Sequence, residues 1–522
     1  MNTKHWWKTA LLLSLFWQIV TVPLQAELVN INQVNKLNLK YLTSIEAIYQ
    51  QHPDKEFWID PALRNEFEKQ ISLIVLADIS DDLLYSYQKL LKASDEKDWQ
   101  QYELIASDML LFYLSYSEQI PAKGNSWLFG GRIKKIDSPS QISIDNFFNA
   151  DSDQMRLYYL HALSPISTQQ TALYNNLVQF KNTPDQNFDA VKFDQFSKIG
   201  DILEQKTILL SRLEISGQLS AQRKHQFELE NNQLYNPALG TIIRAFQVRH
   251  GLLPDAVIGS KTQYWLNMSR QERVRLMALN ILRQQLRTVE SSNKILVNIP
   301  NYKMEYWEAG QKVFESKIIV GQTKRKTPLF SANLDTIVFN PSWNVPTIIM
   351  REDILPKVLS NPNYLNQHNY QIIENYRSKK VIDADTINWK LITANNFPYK
   401  LRQKSGRTNA LGLYKFNTPN KDAIYLHDTP AKHLFEKSDR AFSSGCIRIQ
   451  KAQQFAQLLI DKSGYSFRDY EKHQHSTETS MLSLKKNIKV YAIYETVWVD
   501  QFGFTQFRND VYHYDKSGRI KN

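Results

Sequence analysis

AIYLHDTPAKHLFEKSDRAFSSGCIRIQ, from Ala423 to Gln450, contains two short runs in which apolar and polar residues alternate. Because side chains on a strand point alternately to opposite faces, the first run predicts a strand with Tyr425 and His427 on one face. The second run places Cys446 and Arg448 on one face in the same way, with apolar residues between them directed to the core. The stretch therefore predicts a β-rich fold in which two strands present a phenol, an imidazole, a thiol and a guanidinium to one cleft.

Cys446 is the only cysteine in 522 residues, so it cannot form an internal disulfide. A buried cysteine behaving as a small hydrophobe is the structural alternative. Next to an imidazole such as His427, however, a thiol can lose its proton and act as a nucleophile. Gly445 lets the backbone come close to a ligand, and the N–H groups of Ser444, Gly445 and Cys446 are candidate oxyanion donors. The imidazole needs a partner on its other nitrogen, for which both the Asp428 carboxylate and a nearby backbone carbonyl are candidates.

The order of His427, a loop and then Ser-Xaa-Gly-Cys-Xaa-Arg resembles the signature of L,D-transpeptidases with the YkuD-type catalytic domain. The resemblance extends from about Lys294 to Tyr494 and includes NPSWNVP at 340–346 and NALGLYKF at 409–416. Many members carry a histidine before the glycine of the motif, where this chain has Ser444, so no role of that histidine side chain is carried over. Nearly the whole mature chain resembles the long members of the family, which carry a scaffold and a wall-binding unit in addition to the catalytic domain.

The resemblance implies a reaction as well as a fold. Cys446 would attack the carbonyl between the third and fourth residues of a peptidoglycan tetrapeptide stem, releasing D-alanine and leaving a thioester. The side-chain amine of diaminopimelate on a second stem would then take the acyl group. His427 would serve as base and then acid, and Gly445 and Cys446 would supply oxyanion donors. The reaction needs no metal or organic cofactor, and carbapenems are expected covalent inhibitors. Arg448 and Tyr425 would shape the site or hold a substrate carboxylate, Trp343 would line the pocket, and Ser444 is the fourth residue expected to contact substrate.

Upstream of this region, the pattern AFQVRHGLLPDAVIGSKTQYWLN resembles small three-helix peptidoglycan-binding domains. Their usual Asp-Gly is Asp255-Ala256 here. The pattern predicts a helix capped by Asn236, with Pro237 in its first turn. The fold class is multidomain α+β. The expected parts are a helical scaffold (27–227), a peptidoglycan-binding-like domain (228–268), a connector helix (269–293), a β-rich catalytic domain (294–494) with a helical cap insertion (about 350–396), and a packed C-terminal tail (495–522).

The first 26 residues combine Lys4 and Lys8 with a short apolar run ending at Ala26, which is typical of a secretory signal. Leu24 fits the cleavage pattern poorly, so an uncleaved anchor in the inner membrane is the alternative. Either reading places the protein in the periplasm. The net charge of +12 favours anionic partners, but no Lys/Arg block typical of nucleic-acid binding is present. The expected partners are peptidoglycan stem peptides and cell-wall synthesis proteins.

Other functions remain open at this point. Water in place of an amine would make the same acyl-enzyme an L,D-carboxypeptidase or a hydrolase, and a protein lysine as acceptor would attach a lipoprotein to the wall. A non-catalytic wall-binding scaffold is the rival from another class. A redox thiol protein is disfavoured because no resolving cysteine exists.

Overall fold

The computed structural model describes residues 37–164, 167–182, 189–193, 196–230, 232–287, 291–474 and 476–516. The predicted signal or anchor at residues 1–26 lies outside the described residues. Among those described, no helix is both long and apolar enough to cross a membrane.

The N-terminal half is helical, as predicted. Several helices begin at a Ser, Asp or Asn whose side chain accepts a hydrogen bond from a backbone N–H of the first turn, as Asp60 and Ser269 do. The helices are α1 (Leu42–Gln51), α2 (Pro61–Leu76), α3 (Asp81–Glu96), α4 (Trp99–Leu128), α5 (Gln141–Phe148), α6 (Asp153–Leu163), α7 (Thr168–Asn182), α8 (Lys206–Ile215), α9 (Ala221–Leu229), α10 (Pro237–Arg249), α11 (Ser260–Asn267) and α12 (Arg270–Gln285).

The region expected to form a peptidoglycan-binding-like domain contains α10 and α11. Asn236 caps α10 through a 2.9 Å hydrogen bond from the Leu239 N–H, and Pro237 is its first residue. Ala256 occupies the position of the usual glycine and has a φ of +63°. That left-handed conformation is costly for a residue with a Cβ. The turn therefore keeps a glycine-type backbone without the glycine.

The predicted boundaries at 227, 268 and 293 do not separate hydrophobic cores. One cluster of buried apolar side chains runs from Tyr41 to Leu282 and includes Val497, Val499 and Phe507 of the tail. The connector helix α12, expected to pack on the last domain, lies largely inside this helical core. The boundary at 228 falls within α9. The helical half and its appended unit thus share one core.

The C-terminal half is built on a nine-stranded sheet in the order β11-β3-β12-β10-β9-β4-β13-β1-β2, and β2 also pairs with β3, which closes the sheet on itself. The EAGQK turn joins β2 to β3 through Ala309 and Gly310, both at positive φ, which confirms the predicted hairpin. The strands are β1 (Lys294–Asn298), β2 (Lys303–Glu308), β3 (Gln311–Gly321), β4 (Phe330–Phe339), β5 (Trp343–Asn344), β6 (Tyr370–Ile373), β7 (Val381–Ile382), β8 (Lys400–Gln403), β9 (Tyr414–Asn417), β10 (Leu426–His427), β11 (Ala441–Ser443), β12 (Ile447–Ile449), β13 (Ser480–Ile493), β14 (Val497–Val499) and β15 (Thr505–Phe507).

Helices α13 (Ala452–Lys462) and α14 (Phe467–Gln474) accompany the sheet. Phe455 of α13 is fully buried and packs on Phe314 and Phe416 of the strands, at ring-centroid distances of 5.2 and 4.8 Å. Burying one such aromatic side chain stabilises a fold by about 2 kcal/mol. This apolar layer fixes β9, β10 and β12 with their other face directed away from the core.

The insertion differs from the helical cap predicted for residues 350–396. Strands β5, β8, β6 and β7 form a second, four-stranded sheet in that order. Helical turns cover Thr347–Ile349, Met350–Ile354, Leu355–Ser360 and Tyr364–Gln367. The insertion has its own apolar core, which includes Val345 and Leu401. It is therefore a small mixed α/β unit, wider than the expected range, because short strands on both sides of the helical segment pair with each other.

The tail is packed up to residue 516, as predicted from its aromatic residues. β14 and β15 pair antiparallel, and Tyr512 is buried. The Tyr512 hydroxyl donates to the Gly321 carbonyl at 2.7 Å and accepts from the Thr327 N–H at 3.0 Å. The tail thus reaches the β3–β4 loop, which lies beside the cysteine.

Candidate active site

Strands β10 and β12 pair in parallel, with Leu426 opposite Ile447 and His427 opposite Arg448. Leu426 and Ile447 are fully buried on the core face. Alternation therefore places His427 and Arg448 on the other face. Tyr425 and Cys446, two positions before them, lie on that same face. The structure brings together the four side chains that the alternating pattern selected.

His427 is held in one orientation by its own backbone. Its Nδ1–H donates to the Asp428 carbonyl at 2.5 Å, and because a carbonyl can only accept, the neutral ring is left with Nε2 as an acceptor. The Asp428 carboxylate does not orient the ring: it accepts from the Leu413 N–H at 3.0 Å and pairs with Lys432. Burial first, and then the charge of Arg448, lower the pKa of His427 to about 3. The resting imidazole is therefore neutral.

Cys446 as a whole residue is partly buried. Its hydrogen-bond donors are the backbone N–H and the hydroxyl of Tyr425. Burial raises the pKa of the thiol, while these two donors and the charges of Lys415 and Arg448 oppose that rise. Among the described residues no hydrogen bond joins the thiol to the imidazole. The resting pair is a thiol beside a neutral base.

Trp343 and Tyr425 connect the insertion to the thiol. Trp343 on β5 donates to the Tyr425 hydroxyl, and this hydroxyl donates in turn to Cys446. The Tyr425 ring also packs edge-on against the His427 ring, with centroids 5.7 Å apart. Burial raises the pKa of Tyr425, so the phenol stays a donor. Two of the four residues predicted to contact substrate, Trp343 and Tyr425, therefore lie within the thiol's own hydrogen-bond network.

The loop before Cys446 is tied down from both sides. Gly445 has a φ of +118°, which a residue with a side chain rarely adopts. Its carbonyl accepts from Thr327 Oγ1 at 2.7 Å, and its N–H donates to Ser443 Oγ at 3.2 Å. The Gly445 N–H predicted as an oxyanion donor thus has an intramolecular acceptor in this structure. The Cys446 N–H has no acceptor among the described residues and is the more available donor.

Ser444 lies at a junction between the cysteine loop and the insertion. Its hydroxyl accepts from Arg325 Nη1 at 2.9 Å. Arg325 Nη2 also donates to Asp353 at 3.0 Å and to Glu352 at 2.5 Å, both in the helical turns of the insertion. These hydrogen bonds raise the pKa of the guanidinium above its ordinary value. One nearly buried arginine therefore joins the insertion to the residue beside Gly445.

Lys415, which was not among the residues predicted for the site, faces the same cleft from β9. Lys415 is opposite His427 in the antiparallel β9–β10 pair, and its Nζ lies 4.4 Å from the centroid of the Tyr425 ring. The signal was present in LYKF, where Tyr414 and Phe416 are buried and the lysine between them must face outward. No local sequence pattern indicated Arg325, because its hydrogen bonds join Ser444 to an insertion that is distant in sequence. The described residues contain no group of three or more metal-binding side chains.

Residues 292–463 match the family model for the L,D-transpeptidase catalytic domain, YkuD. This region of the chain is therefore similar to L,D-transpeptidase catalytic domains. A Haemophilus influenzae protein named "Putative L,D-transpeptidase" is 26% identical over 485 residues, covering 93% of this chain and 81% of the relative.

A crystal structure titled as the L,D-transpeptidase (residues 123–326) from Xylanimonas cellulosilytica was also matched. The match covers 58% of this chain and 99% of that chain at 10% identity, with a TM-score of 0.17. This similarity is too low to bear on the fold or on the site.

Proposed function

We propose that this protein is a cysteine-dependent L,D-transpeptidase that joins peptidoglycan stem peptides through two diaminopimelate residues. The observation that carries the proposal is the shared cleft face of β10 and β12. It presents the only thiol of the chain beside a neutral imidazole whose Nδ1 is fixed by the Asp428 carbonyl. The match of residues 292–463 to the catalytic-domain family supports this choice of substrate class.

In the first half-reaction, the Cys446 thiol transfers its proton to His427 Nε2 while sulfur bonds to the donor carbonyl carbon. The carbonyl oxygen becomes an oxyanion, for which the Cys446 N–H is the available donor. Collapse of this intermediate breaks the C–N bond to D-alanine, whose nitrogen takes the proton back from His427. A thioester on Cys446 remains.

In the second half-reaction, the side-chain amine of diaminopimelate on another stem attacks the thioester. The amine loses a proton to His427, the new C–N bond forms and the C–S bond breaks. His427 then returns the proton to the Cys446 sulfur. Arg448, Tyr425, Ser444 and Trp343 shape the cleft around the donor, and the insertion limits the entry of water.

Product analysis by mass spectrometry tests this function. Purified protein is incubated with disaccharide-tetrapeptide, alone and with a diaminopimelate-containing acceptor, and Cys446→Ala is the control. Dimers linked through their third residues support transfer. Tripeptides alone would make the protein an L,D-carboxypeptidase, and no product from either protein would favour a non-catalytic wall-binding scaffold.

The second part of the proposal is that α10, α11 and the turn between them bind peptidoglycan in the periplasm. A cavity of about 250 Å³ lies beside this turn and is lined by Leu253, Asp255 and Lys261, among others. Sedimentation with isolated wall sacculi tests the proposal. Leu253→Asp should reduce the bound fraction, while Val248→Asp, an exposed residue of α10 outside the cavity lining, should not. Equal binding of the two variants to sacculi would contradict a role of this cavity in peptidoglycan binding.

Carbapenems, which are strained acyl donors, should acylate Cys446. The chain has one cysteine, so any thiol adduct maps to one atom. An adduct of the intact protein that disappears in Cys446→Ala supports the proposal, and a wild-type protein that stays unmodified contradicts it.

A further inference from the structure

The peptide unit between Gly445 and Cys446 carries a candidate oxyanion donor on one side and a held carbonyl on the other. A trans peptide is planar, so its C=O and N–H point in opposite directions. The Gly445 carbonyl accepts a hydrogen bond from Thr327 Oγ1 at 2.7 Å. The Cys446 N–H of the same unit has no acceptor among the described residues. The direction of the held carbonyl therefore determines the direction of the free N–H.

The loop around Gly445 does not fix this direction by itself. Gly445 has a φ of +118° and, lacking a side chain, leaves the adjoining peptide plane free to rotate. Ser443 Oγ accepts from the Gly445 N–H at 3.2 Å and donates to the Cys446 carbonyl at 2.6 Å. These contacts hold the peptide units on either side, but not the one between them. Among the described residues, Thr327 supplies the one hydrogen bond to this middle unit.

Thr327 is itself held by a closed set of hydrogen bonds with Gly321 and Tyr512. Its Oγ1 accepts from the Gly321 N–H at 2.9 Å, and its N–H donates to the Tyr512 hydroxyl at 3.0 Å. The Tyr512 hydroxyl donates in turn to the Gly321 carbonyl at 2.7 Å. Burial raises the pKa of Tyr512 to about 12, so this hydroxyl keeps its proton. Because a hydroxyl has one hydrogen, that of Thr327 remains for the Gly445 carbonyl.

The β3–β4 loop that carries Thr327 has little room to move. A Cβ added at Gly321 would lie 2.2 Å from the Arg325 carbonyl oxygen and 2.6 Å from the Thr327 nitrogen. Lys326 Nζ donates to the Tyr512 carbonyl at 2.9 Å, which ties the next residue of the loop to the tail. Both Thr327 and Tyr512 are buried. The tail therefore supports the loop, and the loop supports the peptide unit beside the cysteine.

We propose that Thr327 is a positioning residue for the oxyanion donor, supported by Tyr512 of the C-terminal tail. By holding the Gly445 carbonyl, Thr327 directs the Cys446 N–H to the oxygen of the reacting carbonyl. The inference rests on the proposed function, which supplies that carbonyl. As sulfur bonds to the carbonyl carbon, the oxygen takes the electron pair of the double bond, and the N–H donates to the resulting negative charge. Thr327 acts on this oxygen only through the peptide unit.

Two reactions of the same sulfur separate a role in positioning from a role in general structure. Acylation of Cys446 by a donor tetrapeptide or a carbapenem passes through an oxyanion. Alkylation by iodoacetamide displaces iodide from a saturated carbon and forms no oxyanion. A change that misdirects the Cys446 N–H should therefore slow acylation and leave alkylation unchanged.

Thr327→Val nearly keeps the shape of the side chain and removes the donor to the Gly445 carbonyl. Acylation should slow by about 10- to 100-fold, because complete loss of one oxyanion donor lowers a rate by about 10²- to 10³-fold and reorientation removes part of its effect. With the tetrapeptide, kcat should fall while KM stays unchanged. The rate of alkylation should equal that of the wild type. Thr327→Ser restores the hydroxyl and should restore acylation.

Thr418→Val is the matched control. Thr418 is 2% exposed and Thr327 is 1% exposed, and the Thr418 hydroxyl likewise donates to a backbone carbonyl, that of Ile424, at 2.8 Å. This variant loses a comparable buried hydrogen bond and should keep the wild-type ratio of acylation to alkylation. Tyr512→Phe removes a hydroxyl that supports Thr327. It should lower the ratio by a smaller factor than Thr327→Val, because Thr327 keeps its own donor.

The outcomes distinguish this inference from the proposed function. An unchanged ratio in Thr327→Val, or an equal fall of acylation and alkylation, would overturn the positioning role. If Thr327→Val does not fold, an unchanged ratio in Tyr512→Phe would overturn it. An unchanged ratio in a protein that forms cross-links contradicts the positioning role alone. A ratio that falls with a carbapenem, in a protein that forms no cross-links, supports the positioning role and contradicts the transpeptidase assignment.

Discussion

In two buried histidines, His250 and His427, the Nδ1 atom donates to a backbone carbonyl, but the surroundings of the two rings differ. His250 Nδ1 donates to the Phe246 carbonyl at 2.7 Å, as His427 Nδ1 does to the Asp428 carbonyl. His250 Nε2, however, accepts from Arg273 Nη1 at 3.1 Å, and the ring is sealed among aromatic side chains. His427 Nε2 accepts no hydrogen bond from any described residue. Its ring lies on the same cleft face as Cys446, the only cysteine of the chain.

The difference shows what separates a structural histidine from a chemical one. Burial lowers the pKa of both rings, and an arginine adds to the effect in both. A shifted pKa therefore does not distinguish them. The second nitrogen does: it accepts a hydrogen bond from Arg273 at His250, whereas at His427 it has no partner among the described residues and the Cys446 thiol lies on the same face.

The largest contrast is expected in catalysis. His427→Gln removes the proton acceptor and should lower the rate of Cys446 acylation by about 10²- to 10⁴-fold, the usual contribution of a general base. His250→Gln keeps an acceptor for Arg273 and should leave the rate per folded molecule unchanged. Acylation by a donor tetrapeptide, measured for both variants, checks this. Equal losses of acylation rate in the two variants would contradict the role of His427 as the general base.

Stability should show the reverse order. His250→Ala leaves the buried Arg273 guanidinium without the Nε2 acceptor and should lower the free energy of unfolding by about 1–3 kcal/mol, beyond the loss of packing. His427→Ala removes a ring whose Nε2 has no hydrogen-bond partner in the part of the chain that the structure describes, and it should cost less. Urea unfolding of both variants gives the two values. A larger loss at His427 would contradict the assignment of roles.

The surroundings of His427 should also depend on the insertion, whereas those of His250 should not. Asp353→Asn combined with Glu352→Gln removes the anions that hold Arg325 against Ser444. We expect the acylation rate to fall about tenfold, since charged hydrogen bonds contribute about 1.5–3 kcal/mol each. The thermal unfolding temperature of the helical core should be unchanged. The matched control is Asp439→Asn, which breaks an exposed ion pair with Lys261 and should leave the rate intact.

Acid should destabilise the protein through both histidines. Each has a native pKa below its unfolded value of about 6.5, so as pH falls below that value the unfolded chain binds a proton that the native state does not. Stability is then fully present above about pH 6.5 and declines below it. His250→Gln should flatten this decline between about pH 7 and pH 5 in thermal unfolding. An unchanged slope would show that His250 is not held neutral.

The smallest effect is expected at the turn next to α10. Ala256 has a φ of +63°, where glycine carries no penalty for a side chain. The Cβ of Ala256 is buried, so its loss offsets part of the gain. Ala256→Gly should therefore change the free energy of unfolding by at most about 1 kcal/mol, in the stabilising direction. Acylation of Cys446 should be unaffected. Clear destabilisation would show that packing of the methyl group outweighs the backbone strain.

Sequence alone could predict the cleft because alternation is a local rule. The register of β10 and β12 follows from residues within Ala423–Gln450, and the structure places Tyr425, His427, Cys446 and Arg448 on one face as the pattern requires. The Asp428 carbonyl, one of two candidate partners for the ring, is also one residue away. Lys415 followed the same rule but was overlooked.

The parts that sequence did not predict depend on long-range contacts. Thr327 and Tyr512 support Gly445 from segments remote in the chain. The insertion was expected to be helical because its strands are only two to four residues long and pair across a long gap. The shared core of the helical half likewise depends on packing that no local pattern encodes.

The central claim is that Cys446 forms a covalent acyl-enzyme with a stem peptide. Its most direct test is the intact mass of the protein quenched in acid after mixing with a donor tetrapeptide. The account predicts a tripeptide adduct on the wild-type protein, a smaller fraction on His427→Gln and none on Cys446→Ala. A wild-type protein without an adduct while product accumulates, or an adduct that persists in Cys446→Ala, would contradict it.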